Sequence, residues 1–217
     1  CPRLLDWEWS RAMDGANLDL LHLSAVREMA NIGLGHATTA LANVTGRPFN
    51  MDVPNVETVA IENVPLMVGD PETTTVGIWL PFEGEAVGHT CFLLPWESAQ
   101  ALWTMLLGFA PESPSDIDEL AAMLEVGNII AGSFLNAISD MTGLRMLATP
   151  PRVSVDMAYS IAAQVVTEAE MEDVVALAME TRIHSIDDSS INGFFLCIPT
   201  RSGLNLLFNR LGISEAA

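Results

Sequence analysis

The chain has 217 residues, 50% of them hydrophobic, enough for one sizeable core or for two small halves that share one. Its 28 acidic residues stand against 9 basic ones, all Arg, for a formal charge of -19, and such a surface repels nucleic acid and anionic lipid. The lack of Lys excludes a phosphate-loop lysine, a Schiff base and a lysine general base, and so many carboxylates point to work in high salt, where self-repulsion is screened.

Neither a basic region followed by an apolar stretch nor a lipidation signal is visible. The longest charge-free runs are full of Gly, Thr and Asn and fall short of a continuous apolar membrane span. A cytoplasmic protein without membrane insertion is the expectation. The first residue is Cys1 rather than Met, which suggests a trimmed product. Cys91 and Cys197 lie in the apolar runs "TCFLLP" and "FFLCIP", as small buried hydrophobes do. His22, His36, His89 and His184 show no ligand spacing, so neither a zinc site nor a disulfide framework is expected.

In chain order, residues 1–18 read as a lead-in and 19–217 as a single domain. A helix is predicted from Asp19 to Asn43, with an apolar stripe of Leu23, Val26, Ala30, Ala37 and Leu41 and a break at Thr45-Gly46. Extended stretches follow at Met51 to Val59, Pro65 to Val68, Thr73 to Leu80 and His89 to Leu94, with turns at Gly69 to Pro71 and at Pro81 with Gly84. A helix after Pro95, "WESAQALWTMLLG", closes the first half, with Glu97 or Ser98 in its first turn.

The second half repeats this order. After "GFAPESPSD" a helix is expected from Ser115 to Asp140, with Asp116 as its cap. Glu125, Asn128, Gly143 and Pro151 each stand 97 residues after Glu28, Asn31, Gly46 and Pro54. Extended candidates are Arg152 to Met157, Ile161 to Glu168, Val174 to Ile183 and Ile191 to Ile198, although "VVALAM" is also compatible with a helix. Pro199, Ser202 and Gly212 then answer Pro95, Ser98 and Gly108 at an offset of 104, which places about seven inserted residues in the strand region of the second half. Two repeats, about 20–110 and 115–213, therefore organise the chain as an α+β fold of duplicated helix, strands, helix units.

Each long helix carries Glu-x-x-Asn on one ridge, Glu28 with Asn31 and Glu125 with Asn128. Ser24 extends the first ridge, and Ala121 stands at the matching place in the second. These pairs read either as a solvated face inherited by duplication or as a docking site. One carboxylate and one amide make neither a nucleophile triad nor a pair of catalytic acids. An amide can orient a water for in-line attack on phosphorus, and a carboxylate beside it can grip a cation on a partner. That combination makes sense only if the phosphoryl group and its metal arrive on another molecule.

The spacing Ser24-x3-Glu28-x2-Asn31-x22-Pro54 and its echo Glu125-x2-Asn128-x22-Pro151 resemble the duplicated signature of the CheC family of chemotaxis phosphatases, which includes single-motif CheX proteins and the amino-terminal part of FliY. The resemblance runs from about Leu20 to Ile213. It implies two pseudo-symmetric halves around a largely antiparallel sheet, with the two motif helices exposed together. It also implies dephosphorylation of the aspartyl phosphate on the response regulator CheY. Asn31 and Asn128 would orient the attacking water, Glu28 and Glu125 would contact the regulator's lysine, and Ser24 would support the first site. Pro54 and Pro151 would redirect the chain into a strand, a structural role. No cofactor of the chain's own is implied, because Mg2+ would sit on the regulator. CheD is a further partner in that family, and a halophilic archaeal source fits the charge balance. The alternative reading is an adaptor that binds phosphorylated CheY or CheD and acts by sequestration; a structural component of a motor switch is a third.

Overall fold

The computed structural model describes residues 20–46, 48–68, 70–112, 117–169, 175–185 and 190–213. The expected lead-in and the cap Asp116 lie outside the described residues. In chain order the elements are α1 (Leu20–Thr45), β1 (Phe49–Ala60), a 3-10 turn (Ile61–Asn63), α2 (Val64–Val68), β2 (Thr74–Gly84), β3 (Gly88–Pro95) and α3 (Trp96–Leu107). They continue with α4 (Ile117–Thr142), β4 (Met146–Ala148), β5 (Arg152–Met157), α5 (Ala158–Ala169), β6 (Val175–Ser185), β7 (Ser190–Pro199) and α6 (Arg201–Arg210). The fold is α+β.

All seven strands form one antiparallel sheet in the order β1-β6-β7-β3-β2, with β4 and β5 both pairing along the outer side of β2. Exchanging each element of the first half for its equivalent in the second returns the same order reversed. The β3–β7 pair lies at the centre, in a register that runs from Gly88 opposite Pro199 to Leu93 opposite Phe194. The outer strand of each half is thus paired with a strand of the other half: β1 lies on β6, and β5 lies on β2.

The central strands are apolar on both faces, as strands covered on both sides must be. Val76, Ile78, Leu80, Phe92, Leu94, Met179 and Phe195 point to one core, beneath α1, α3, α4 and α6. Trp79, Cys91, Leu93, Ala178, Leu196 and Ile198 point to a second, beneath α2 and α5. Three layers result: long helices, sheet, short helices. Phe134 of α4 stacks edge-on against Phe195 of β7 at 4.9 Å between ring centroids, and the Trp103 indole N–H donates to the Glu119 carbonyl at 2.8 Å, tying α3 to the start of α4.

Both long helices stop in the same way. Gly46 and Gly143 adopt φ of 67° and 72°, and their N–H groups close on the carbonyls of Ala42 and Ser139 at 2.9 and 2.8 Å. A side chain with a Cβ is strained in that left-handed conformation, so glycine ends the helix there.

Two stretches expected to be extended are helical. Pro65 to Val68 belongs to α2, where a proline in the first turn sacrifices no hydrogen bond. Ile161 to Glu168 belongs to α5, whose buried Ala158, Ile161, Ala162 and Val165 follow the helical period. Short apolar runs do not separate strand from helix by periodicity alone. "VVALAM" is strand β6 from Val175 onward. Part of the length difference between the halves lies in α5, whose 12 residues answer the 3-10 turn and the five-residue α2. Contrary to the sequence reading, one helical segment among the described residues, Glu119–Thr142, is long and apolar enough to cross a membrane by length and composition; half of its most apolar window is buried against the rest of the chain.

Candidate functional site

Along α1, Val26, Met29, Ala30, Gly33, Leu34, Ala37 and Leu41 are buried, and Ser24, Glu28 and Asn31 are exposed on the opposite side. Along α4, Met123, Val126, Gly127, Ile130, Phe134 and Leu135 are buried, and Ala121, Glu125 and Asn128 are exposed. A helix places residues three and four apart on one face, so each carboxylate lies beside its amide with solvent in front of both.

The apolar stripes are seated closely. A Cβ added to Gly33 would lie 2.7 Å from the Cα of Phe134, so α1 and α4 touch backbone to backbone at that point. A Cβ on Gly127 would lie 2.4 Å from Cγ2 of Ile78, so α4 lies just as tightly on β2. Such contacts fix the rotation of each helix about its axis, and with it the direction of the polar ridge.

The second ridge borders an open groove of about 460 Å³, lined by Ala121, Leu124, Glu125 and Asn128 on the helix and by Ala148, Thr149, Pro150 and Pro151 opposite. The Thr149 N–H and hydroxyl both donate to the Pro81 carbonyl, at 2.8 and 3.0 Å, which pins this wall to β2. Pro150 and Pro151 interrupt the outer strand between β4 and β5, where neither removes a ladder hydrogen bond. Pro151 stands at the entry to β5. Pro54 instead lies inside β1, at a register irregularity between Asp52 and Asn55, so it bends an existing edge strand rather than leading into one.

The residue of the first half that answers Thr149 is Asp52. Its carboxylate pairs with His184 Nε2 of β6 at 2.9 Å, and both side chains are partly exposed. Asp52 and Thr149 were not singled out in the sequence, and His184 was weighed there only as a metal ligand. The repeat offset was the available signal, since Asp52 and Thr149 each precede a motif proline by two residues.

Among the described residues no group of three or more His, Cys, Asp or Glu is arranged to hold a metal ion. Cys91 and Cys197 are buried in different cores, and burial pushes each thiol up to about 12, which makes them poor nucleophiles.

The fold is similar to that of solved FliY and FliM structures. The X-ray crystal structure of Thermotoga maritima FliY matches with a TM-score of 0.73 over 91% of this chain and 98% of that one, at 16% identity. The CheC-like family model matches residues 21–57 and 119–155, the two segments that carry Glu-x-x-Asn and its downstream proline. The CheY-P phosphatase CheC of Bacillus subtilis (strain 168) is 27% identical over 197 residues, covering 88% of this chain and 94% of that protein. A putative CheY-P phosphatase CheC1 of Halobacterium salinarum (strain ATCC 29341 / DSM 671 / R1) is 24% identical over 172 residues, covering 78% and 86%. The chain is thus similar to CheC-like proteins, and the family model matches it over the two motif segments.

Proposed function

We propose that this protein accelerates hydrolysis of the aspartyl phosphate on a CheY-type response regulator. The observation that carries the reading is the repeated, exposed carboxylate and amide pair on two equivalent helices, with no metal-binding cluster beside it among the described residues. The partner supplies the phosphoryl group and its Mg2+. Glu28 and Glu125 then each accept from a lysine ammonium at the rim of the partner's phosphorylated pocket, which fixes register. Asn31 and Asn128 hold a water in line with the scissile bond. Its oxygen bonds to phosphorus as the bond to the aspartyl oxygen breaks, releasing inorganic phosphate and restoring the carboxylate. Ser24 lies one turn before Glu28 and adds a hydroxyl that the second site, with Ala121, lacks. Such a partner places the reaction in the cytoplasm.

The test is a phosphate-release time course with a phosphorylated CheY-type regulator and a substoichiometric amount of this protein. Many regulators dephosphorylated per protein molecule, and loss of that turnover with retained binding in the Asn31→Ala, Asn128→Ala double variant, are the expected results. Binding of the phosphorylated regulator with no acceleration of phosphate release would replace catalysis with sequestration, and an unaffected double variant would remove both amides from the chemistry.

A further inference from the structure

The long helices α1 and α4 contain four interior glycines, Gly33, Gly35, Gly127 and Gly132. Glycine weakens a helix interior relative to alanine, because it loses the most backbone freedom on folding and contributes no side chain. Packing accounts for Gly33 and Gly127, where a Cβ would run into Phe134 and Ile78. It does not account for Gly35 and Gly132: an added Cβ at either would meet nothing within 4 Å, and neither has the positive φ that would demand glycine.

These two glycines hold equivalent places. Each stands four residues after the motif Asn and seven after the motif Glu, so each continues the Glu and Asn ridge by one turn toward the helix C-terminus. Gly35 is exposed and Gly132 half-buried. A locally unfavourable residue that internal contacts leave unexplained, present at the same point of both ridges, is expected where something outside the chain has to come close. Removing the side chain lets a second backbone reach the helix backbone, as α4 reaches α1 at Gly33.

Resting on the phosphatase reading, we propose that Gly35 and Gly132 are positioning residues: the main chain of the response regulator beside its phosphorylated aspartate rests on the bare helix there, which sets the depth at which the phosphoryl group meets Asn31 or Asn128. The occupant is the regulator rather than a second copy of this chain, because the glycines continue the ridge whose carboxylates and amides suit a phosphorylated pocket with a lysine at its rim.

Two paired variants test this, Gly35→Ala with Gly132→Ala and Gly35→Leu with Gly132→Leu, assayed with a phosphorylated CheY-type regulator for KM, kcat and Kd, alongside melting temperature and solution mass. The Ala pair should melt no lower than the parent, since the space is open and alanine favours the helix. Its KM and Kd should rise about threefold, and those of the Leu pair at least tenfold, as expected for a bulge in a close contact. Unchanged KM, kcat and Kd in a folded Leu pair would overturn the inference while leaving the function standing. A lowered melting temperature in the Ala pair would overturn it in favour of an internal role, and a changed mass in favour of self-association. If the parent binds the regulator without hydrolysing it, the catalytic reading fails and Kd still decides the role of the glycines; if the parent does not bind, both fall.

Discussion

The two ridges keep the same Glu and Asn but are bordered differently. Beside Glu125 and Asn128 stands a wall of Ala148, Thr149, Pro150 and Pro151, with the Thr149 hydroxyl already committed to the Pro81 carbonyl. At the equivalent place in the first half a carboxylate, Asp52, pairs with His184, and the strand continues past Pro54 through a register irregularity. The first ridge also has Ser24 where the second has Ala121. The carboxylate and amide of each ridge are thus retained in both copies, whereas the residues that border them have diverged. On the proposed reading, duplication of this kind would keep the chemistry shared while separating the affinities of the two ridges.

The sharpest way to break the comparison is to remove one amide at a time. Asn31→Ala and Asn128→Ala should each cost about a hundredfold in phosphate release at their own ridge, leaving partial activity in the whole protein, while the double variant falls to the regulator's own rate. One single variant that abolishes turnover alone would show that the copies are not both sites. Equivalent buried positions give the next test. Ile130→Ala should lower unfolding free energy by about 2–5 kcal/mol through a cavity. Gly33→Ala, the opposite change at the matching position of α1, should lower it by about 1–3 kcal/mol, because the new methyl meets the Phe134 backbone. Urea melts read both.

The buried thiols, one in each half, supply a pH test. Their proton is held up to about 12 in the folded chain against an ordinary 9.0, so above that lower value the unfolded chain releases protons that the native one retains. Stability should therefore fall with rising pH in that window, by about 1.4 kcal/mol per pH unit for each thiol, and Cys91→Ala should reduce the slope by one such increment. Urea melts between pH 8 and pH 11 measure it. The smallest effect concerns the rim. With the second ridge silenced by Asn128→Ala, Asp52→Asn should change the regulator's KM by about threefold in dilute buffer, and the change should vanish in molar salt; with Asn31→Ala as background, the same substitution should do nothing.

Much of this arrangement was legible in the sequence. The repeat offset located both long helices, their glycine stops and the exposure of Glu28, Asn31, Glu125 and Asn128, since a ridge of polar residues opposite an apolar stripe has one stable orientation. Strands β2, β3 and β7 were legible because they are continuous apolar runs, whereas β6 stayed open, since "VVALAM" suits a strand or a helix by pattern alone. Helices α2 and α5 were not: each is a short apolar segment whose helical character comes from packing under the sheet, as when Ile161 fills the space left by Gly77. The groove beside Asn128 was also invisible, because its far wall lies about twenty residues along the chain and is brought back only by the pairing of β4 and β5 with β2.

That pairing has a further consequence. Since β1 completes the strands of the second half and β5 those of the first, a polypeptide cut between α3 and α4 would leave each fragment with raw strand edges and a half-built hydrophobic layer. Neither piece could fold as an independent unit, but the two mixed together should reassemble by exchanging their outer strands. Cooperative unfolding of the intact chain is therefore woven into its connectivity, and a loss of order in one copy of the motif would be felt at once by the other.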